Sequence, residues 1–215
     1  MKLTNKVKQQ IIDHIRIFIP NYIEFFDQFN EQSILYGRYL VHHINDDNVN
    51  NNIIDIITNF ANFRFLHHFL LANHFSIVKF NNMAIYELDL QSLKKLTTDI
   101  VVYEKHIGDY SLNINIVKTP NIYNYLGFNV KLKIEQSYYN GSLLVVPYKK
   151  MILSRYEEND RIKLNDSKLV RKLMYYVNNG YTFNITTDNG EFLFKSNNYK
   201  NYKYYSRLLK YYLSI

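Results

Sequence analysis

Positive charge and tyrosine rings are concentrated at the end of the chain. Residues 195–215 contain no Asp or Glu and six tyrosines. Cations can neutralise the phosphates of a nucleic acid, and interleaved aromatic rings can stack on its bases. On a helix, four of the cations would form one stripe at steps of three, four and three residues: Lys200, Lys203, Arg207 and Lys210. This spacing predicts an RNA-binding face, and a solvated basic helix is the alternative.

A second basic group lies nearer the middle of the chain. Lys149 and Lys150 follow a predicted strand that ends at Val146, and Arg155 comes shortly afterwards. Adjacent cations after a strand are suited to phosphate contacts, and the Ser154 hydroxyl could donate to a phosphate or ribose oxygen. We therefore predict that these three cations and Ser154 contact RNA. The alternative is an exposed loop.

The formal charge is distributed unevenly along the sequence. The chain of 215 residues has a formal net charge of +7. From residue 163 onward there are nine Lys and Arg against three Asp and Glu, whereas the first 162 residues contain seventeen against sixteen. Nearly all of the net charge therefore lies in the last quarter, which indicates a localised contact with nucleic acid.

The composition is biased toward residues with AT-rich codons. The chain contains 28 Asn and 21 Tyr but only 6 Gly, and it has no Cys or Trp. Such a bias is typical of an organelle genome or of a large DNA virus. Without cysteine the chain cannot form disulfides, thiol nucleophiles or Cys-based zinc sites. Its length and its hydrophobic content of 47% allow a substantial core.

Patterns that indicate catalysis or metal binding are weak. The histidine pairs 42–43 and 67–68 are adjacent in sequence, so on a helix their side chains diverge by about 100° and cannot easily share a metal. The sequence contains no Gly-x-Ser-x-Gly, no His-Glu-x-x-His and no phosphate-cradling loop. The adjacent carboxylates at 46–47 and 157–158 are interpreted as solvated turns. We therefore expect no enzymatic activity, no cofactor and no metal.

No segment of the sequence predicts membrane insertion or import. The uncharged run in the most apolar region, residues 65–78, contains three histidines and is too short to span a bilayer. At the N-terminus Asp13, His14 and Arg16 interrupt any signal-peptide core. We expect a protein without membrane contacts, and one synthesised inside an organelle if it works there.

The hydrophobic periodicity predicts an α+β fold. Residues 4–75 have helical spacing, and the period changes from about 3.6 to 2 near Phe75. We predict a helical N-terminal extension at 1–32, an α+β core with an antiparallel sheet at 33–160, and a basic, Tyr-rich helix-hairpin-helix extension at 161–215. The strand candidates are residues 75–80, 83–88, 100–103, 112–118, 129–135 and 142–146, with tight turns at Asn81-Asn82 and Asn140-Gly141. In the extension we predict a helix at 166–178, a hairpin of residues 181–186 and 191–194, and a terminal helix.

The middle of the chain resembles a known family. Residues 33–156 are similar, in order, to the eighth protein of the small ribosomal subunit of bacteria and organelles. The resemblance is carried by a short helical stretch, a helix that leads into two strands, a strand before Lys118-Thr119-Pro120 with an aromatic strand after it, and an Asn-Gly turn before a basic loop. These elements correspond to residues 34–45, 62–90, 116–123 and 140–154. The family's Ser-Thr-Ser-Lys-Gly is replaced by Val146-Pro-Tyr-Lys-Lys150, and the expected Gly-Gly step and final strand are absent from the sequence.

This resemblance implies a structural role without chemistry. The expected function is a component of a mitochondrial ribosome, in its small subunit, with ribosomal RNA and neighbouring ribosomal proteins as partners. An alternative remains open, because an accessory protein of an AT-rich DNA virus that works through protein contacts would share the same composition. Salt dependence would separate the two, because phosphate contacts weaken steeply at high salt and apolar contacts do not.

Overall fold

A computed structural model describes residues 2–47, 52–88, 93–160, 166–187 and 190–195. The chain divides into two compact units. The N-terminal unit comprises residues 1–130 and 135–147, and the C-terminal unit comprises residues 131–134 and 148–215. The division between the two units falls near Pro147.

The N-terminal unit is built from five α-helices and seven strands within its described residues. The helices are α1 (Lys2–Ile15), α2 (Tyr22–Asp27), α3 (Arg38–Asn45), α4 (Phe60–Ala72) and α5 (Ile122–Asn129). The strands are β1 (Ser33–Tyr36), β2 (Ile53–Thr58), β3 (Ser76–Leu88), β4 (Leu93–Ile107), β5 (Tyr110–Lys118), β6 (Tyr138–Tyr139) and β7 (Leu144–Val145). The strands form one sheet in the order β3-β4-β5-β2-β1-β6-β7, in which only the β2–β5 pair is parallel. The predicted α+β class with a mostly antiparallel central sheet is thus confirmed.

The two faces of this sheet are covered by different helices. On one face the fully buried Tyr103 of β4 lies beneath α4, and its hydroxyl is 2.7 Å from His67 Nδ1. The Lys105 ammonium on the same strand donates to the carbonyl oxygens of Phe18 and Asn73, which ties β4 to the helical layer. On the other face an apolar cluster joins the sheet to α5. Its members are Ile34, Ile57, Val117, Ile122, Tyr125, Leu126 and Val130.

The N-terminal third is less helical than its spacing predicted. Strands β1 and β2 interrupt the helices, so the expectation of continuous helix across residues 4–75 is wrong in these two places. Strand β2 lies between β1 and β5, and its Ile54, Ile56 and Ile57 are fully buried, so both faces of the strand are covered. In the sequence, a central strand of this kind is a continuous run of apolar residues, which periodicity alone cannot distinguish from a buried helix.

Three further local predictions were wrong. Asn81 and Asn82 form no turn, because β3 continues through them and pairs with β4 at Ile100 and Asp99. The aromatic strand expected after Pro120 is the helix α5, capped by the Asn121 side chain, which accepts from the Asn124 N–H. Residues 129–135 form no strand but end in a 3₁₀ helix, Lys133–Gln136. Val130, Leu132 and Ile134, which alternate with polar residues, are buried but do not belong to a sheet ladder.

The C-terminal unit contains a small mixed sheet. Its described elements are α6 (Lys149–Ser154), β8 (Tyr156–Asn159), α7 (Ser167–Asn178), β9 (Thr182–Thr187) and β10 (Gly190–Phe194). Strands β8 and β9 are parallel neighbours on either side of α7 in the chain, and β10 pairs antiparallel with β9. In the described residues, β9 and β10 pair at the place where a hairpin was predicted after residue 180. The terminal basic helix was predicted for residues that lie outside the described part of the chain.

Helix α7 begins and ends where its sequence predicts. The Asp166 carboxylate accepts from the backbone N–H groups of Lys168 and Leu169, which is N-cap geometry. At the other end Gly180 has φ +84°, and the N–H groups of Gly180 and Tyr181 donate to the carbonyls of Val177 and Tyr176. This pair of hydrogen bonds is a Schellman motif, which requires a left-handed residue that glycine adopts without strain.

Candidate nucleic-acid interface

The basic group after β7 forms a short helix with exposed lysines. Lys149 and Lys150 are the first two residues of α6, and both side chains are exposed. The helix is anchored from its other side by the fully buried Ile152. The two ammonium groups are therefore held on an ordered element, from which they can reach an external anion. Their predicted contact with phosphate remains a prediction.

Arg155 has a role inside the C-terminal unit that the sequence did not indicate. It follows α6 in the left-handed conformation, with φ 52°. Its Nη1 donates to the Asn179 carbonyl at 2.6 Å, and its guanidinium lies 5.4 Å from the centroid of the buried Tyr181 ring. The Arg155 carbonyl also accepts from the Thr182 N–H at 2.8 Å. Arg155 therefore joins α6 to the end of α7 and the start of β9.

Of the remaining predicted RNA-binding positions, the structure describes Ser154 but not the cations of the terminal stripe. Ser154 is exposed at the end of α6, and its Oγ donates to the Met151 carbonyl at 3.4 Å, which is a weak contact. Its hydroxyl thus remains accessible to an external acceptor. The stripe of Lys200, Lys203, Arg207 and Lys210 lies outside the described residues, so its proposed contact with RNA stays a prediction.

A basic surface that was not predicted from the sequence lies on α7. Leu169, Val170, Leu173, Tyr176 and Val177 bury one side of this helix. On the opposite side Lys168, Arg171 and Lys172 are all exposed. Arg171 and Lys172 follow Lys168 by three and four residues, which is the helical pattern of one face, and this spacing can be found in the sequence once the helix has been predicted. We call these three residues the α7 basic face.

The N-terminal unit presents a different, polar corner on its sheet. Asp55 and Asn115 are Cα partners on the parallel strands β2 and β5, and the Asn115 amide donates to Asp55 Oδ1 at 2.8 Å. Gly37, with φ 82°, turns the chain from β1 into α3 directly beside this carboxylate. A Cβ at residue 37 would lie 3.3 Å from Asp55 Oδ2. This polar corner lies on the same face of the sheet as the apolar cluster that packs against α5.

Two tyrosines complete this polar corner. The rings of Tyr36 and Tyr125 meet edge to face with centroids 6.5 Å apart. Burial raises the pKa of the Tyr36 hydroxyl well above its ordinary value, and Tyr125, Asp55 and the buried Glu135 raise it further. Burial likewise raises the Tyr125 pKa. Both hydroxyls are therefore neutral at physiological pH and act as hydrogen-bonding groups beside the carboxylate. Sequence spacing gave no signal for this corner, because its members are far apart in the chain.

The histidines make structural contacts. His67 Nδ1 lies against the Tyr103 hydroxyl, His14 Nδ1 is 2.7 Å from the Tyr39 hydroxyl, and His42 Nδ1 is 3.1 Å from Asp47 Oδ2. Within the described ranges, no three His, Asp or Glu side chains are grouped so that they could hold a metal ion. In the same part of the chain, no helix is long and apolar enough to cross a bilayer.

No protein-family model matches the sequence, and no curated protein matches it either.

Proposed function

We propose that this chain is a non-enzymatic RNA-binding protein. In its more specific form, the proposal is a structural component of the small subunit of a mitochondrial ribosome that binds ribosomal RNA beside other ribosomal proteins. The observation that carries the RNA-binding part is the charge asymmetry. The last quarter of the sequence holds nearly all of the net charge, and the C-terminal unit exposes Lys149 and Lys150 on an ordered helix.

The ribosomal and mitochondrial parts rest on the resemblance and on the AT-rich composition. The helix α4 that leads into β3 and β4, and the Asn140-Gly141 turn before α6, follow the order of elements in the resemblance. The helix α5 departs from it. The RNA-binding part is therefore independent of the family, and each part has its own test.

The salt dependence of RNA affinity tests the RNA-binding part. The full chain is titrated with a fragment of small-subunit ribosomal RNA at several salt concentrations from 50 to 300 mM. If several phosphates are neutralised, the affinity falls steeply with salt, with a logarithmic slope of roughly −0.7 to −0.9 per phosphate. A matched variant, Lys149→Gln with Lys150→Gln, should reduce the slope by about 1 to 2. A flat salt dependence in the full chain would contradict the proposal.

An exposed apolar surface in the N-terminal unit favours the second candidate, a protein that works through protein contacts. The large side chains Phe60 and Phe65 on α4 and Ile77 and Phe80 on β3 are between 47% and 66% exposed. The two elements meet at Tyr103, which is the Cα partner of Ile77 and contacts His67 of α4. Exposed apolar groups that are neighbours in this way mark interaction sites more often than isolated ones do.

A double substitution separates this candidate from the first. Phe65→Glu with Phe80→Glu places charge on the apolar surface at two exposed positions. If protein contacts carry the function, this variant leaves its native complex while the wild type stays bound in 0.5 M salt, because salt does not weaken apolar contacts. If RNA contacts carry the function, the variant stays bound at low salt. In that case 0.5 M salt releases the wild type from its complex.

A further inference from the structure

Strand β3 lies at one edge of the seven-stranded sheet and has β4 as its neighbour. Within the described residues, no strand pairs with its outer side, and residues 76–82 are all exposed. In an antiparallel ladder, the backbone N–H and C=O groups of every second residue point away from the neighbouring strand. This half of β3 therefore presents a row of backbone donors and acceptors to which another strand can bond.

A shift in register places two large side chains of β3 on the face of the sheet that α4 covers. Ile77 is the Cα partner of Tyr103, and Phe80 is the Cα partner of Val101, so all four side chains share that face. One extra residue of β3 just after Ile77 is the reason why two positions three apart face the same way. Tyr103 and Val101 are buried, whereas Ile77 and Phe80 are 47% and 61% exposed. The cover that α4 provides therefore ends at β4 and leaves this part of β3 open.

Helix α4 borders the open strip with a side that is itself exposed. His67 marks the side of α4 that faces the sheet, because its Nδ1 contacts the Tyr103 hydroxyl. Arg64 and Leu71 lie three residues before and four residues after His67, so they share this side of the helix, and both are exposed. Nine of the thirteen residues of α4 are apolar, and a helix that is apolar on all sides is normally covered on all sides. We call the outer edge of residues 76–82, together with Arg64 and Leu71, the β3 ledge.

The charge of the β3 ledge is positive only. Residues 56–86 contain no Asp or Glu. Arg64 and Lys79 are exposed and form no ion pair with a carboxylate in the described ranges of the chain. Lys79 is the Cα partner of Val102, so it lies on the face of the strand opposite to α4. A strand that complements the ledge therefore alternates apolar side chains, which face α4, with carboxylates on the other face.

Other occupants fit this surface less well than such a strand does. A second copy of the chain would bring the same cations together, and a bulge beside Lys79 is a feature that opposes pairing between identical edges. The basic residues 195–215 also contain no Asp or Glu, so this segment does not complement the charge. The phosphates of RNA only accept hydrogen bonds, so they would leave the backbone carbonyls of the edge without donors. A strand supplies both donors and acceptors.

We propose that the β3 ledge binds an acidic β-strand of another protein. The strand lies along the outer edge of residues 76–82 and completes their backbone hydrogen bonds. Its apolar side chains pack beside Ile77 and Phe80, and its carboxylates pair with Lys79 and Arg64. This inference goes beyond RNA binding and is compatible with either candidate function, because both include protein partners.

The test uses the full chain and two synthetic peptides of eight residues. The acidic peptide alternates valine with glutamate, and the basic peptide has lysine in place of each glutamate. Affinity is measured at 50 mM salt, and amide hydrogen exchange is followed for each residue of β3. The ledge variant is Arg64→Glu with Lys79→Glu, and the control variant is Lys8→Glu with Arg16→Glu, which makes the same charge change on or next to α1. Thermal unfolding verifies that each variant is folded.

The wild type and the control variant should bind the acidic peptide at least about tenfold more tightly than the basic one, since complementary charge selects the partner. The ledge variant should reverse this preference. Within residues 76–82, the amides that exchange fast in the free chain should be every second one, because only these point outward. Saturation with the acidic peptide should slow the exchange of these amides at least about tenfold.

Four results would overturn the inference. The first is a wild type that binds neither peptide, or both equally, at millimolar concentration. The second is slow exchange of the outward amides in the free chain at every concentration, which would show that the chain covers its own edge. The third is exchange that slows as the chain is concentrated, which would identify a second copy as the occupant. The fourth is protection of these amides by a fragment of small-subunit ribosomal RNA, which would identify RNA. The salt titration of RNA affinity is a separate measurement, so the proposed RNA binding can stand or fall independently.

Discussion

Glu157 is a buried carboxylate that organises the start of the C-terminal unit. It has no exposed surface, and its two oxygens accept from the backbone N–H groups of Lys133 and Ile134 at 2.8 and 3.1 Å. Oε1 also accepts from the Asn159 amide at 2.6 Å. The carboxylate thereby satisfies the two N–H groups at the start of the 3₁₀ helix Lys133–Gln136.

We expect Glu157→Gln to destabilise the C-terminal unit by about 2–3 kcal/mol. The amide has one acceptor oxygen in place of two, and its NH₂ group would face a backbone N–H donor inside the core. Urea unfolding measures the loss. The adjacent Glu158→Gln is the control, because Glu158 is exposed and its Oε1 accepts from the Tyr156 hydroxyl. Equal unfolding midpoints for the two variants would contradict this role of Glu157.

A substitution at Gly141 tests the turn between β6 and β7. Its φ is +87°, and a Cβ at this position would lie 2.2 Å from the Phe29 carbonyl oxygen. We expect Gly141→Ala to cost at least about 3 kcal/mol, because backbone strain and a backbone clash add together. Gly127→Ala in α5 is the matched control. A Cβ there meets nothing within 4 Å, so we expect a neutral or slightly stabilising change. A Gly141→Ala variant that is as stable as the wild type in thermal unfolding would show that the turn tolerates a side chain.

At the scale of elements, the contact between α1 and α3 is built on neutral histidines. His43 of α3 packs edge to face on Tyr39, with ring centroids 4.5 Å apart, and the His14 ring of α1 stacks on the same Tyr39 ring. Burial lowers the pKa of His43 from 6.5 to about 4, and the nearby His14 and His42 lower it further against the opposing effect of Asp46. Burial also lowers the pKa values of His14 and His42.

This contact should weaken in acid. Above pH 6.5 His43 is neutral in both the folded and the unfolded chain, and its contribution to stability is fully present. As the pH falls from 6.5 toward 4, the unfolded chain takes up the proton first, so up to about 2–3 kcal/mol is lost. His43→Phe keeps a packed ring without a titrating group. Its free energy of unfolding should fall less steeply than that of the wild type between pH 6.5 and 4. If the free energies of unfolding of the variant and the wild type fell equally steeply with pH, the role of His43 would be contradicted.

The elements that were predictable from the sequence are those whose signals are local. The helix α7 carries its own cap at Asp166 and its own stop at Gly180, and the 140–141 turn carries its Asn-Gly pair. The bounds of strand β2 and of the continuous strand β3 depend on pairing with other strands, which local periodicity does not contain. The α7 basic face could have been found from its spacing. The polar corner at Asp55 could not, because the sheet assembles it from three separate strands.

At the scale of the whole molecule, the large sheet and the positive charge belong to different units. The N-terminal unit contains the large sheet and nearly balanced charge, whereas the C-terminal unit carries most of the excess of cations. RNA binding and folding of the large sheet should therefore respond to different changes.

Truncation of the basic end tests this separation. A chain that stops before Lys200 loses four of the predicted cationic contacts and no residue of the seven-stranded sheet. We expect it to bind RNA more weakly at two salt concentrations and to keep the thermal transition of the N-terminal unit. Unchanged RNA affinity would contradict the predicted role of the terminal stripe. A lost transition would contradict the separation of the two units.

The composition of the particle that contains the native chain tests the central claim most directly. A tagged full-length chain is isolated from its own cells at low salt, and the material that sediments with it is analysed for RNA and protein. The account predicts a particle that contains small-subunit ribosomal RNA, from which the chain is released as salt is raised. A chain that sediments without RNA, or that stays bound to protein alone at high salt, would contradict it.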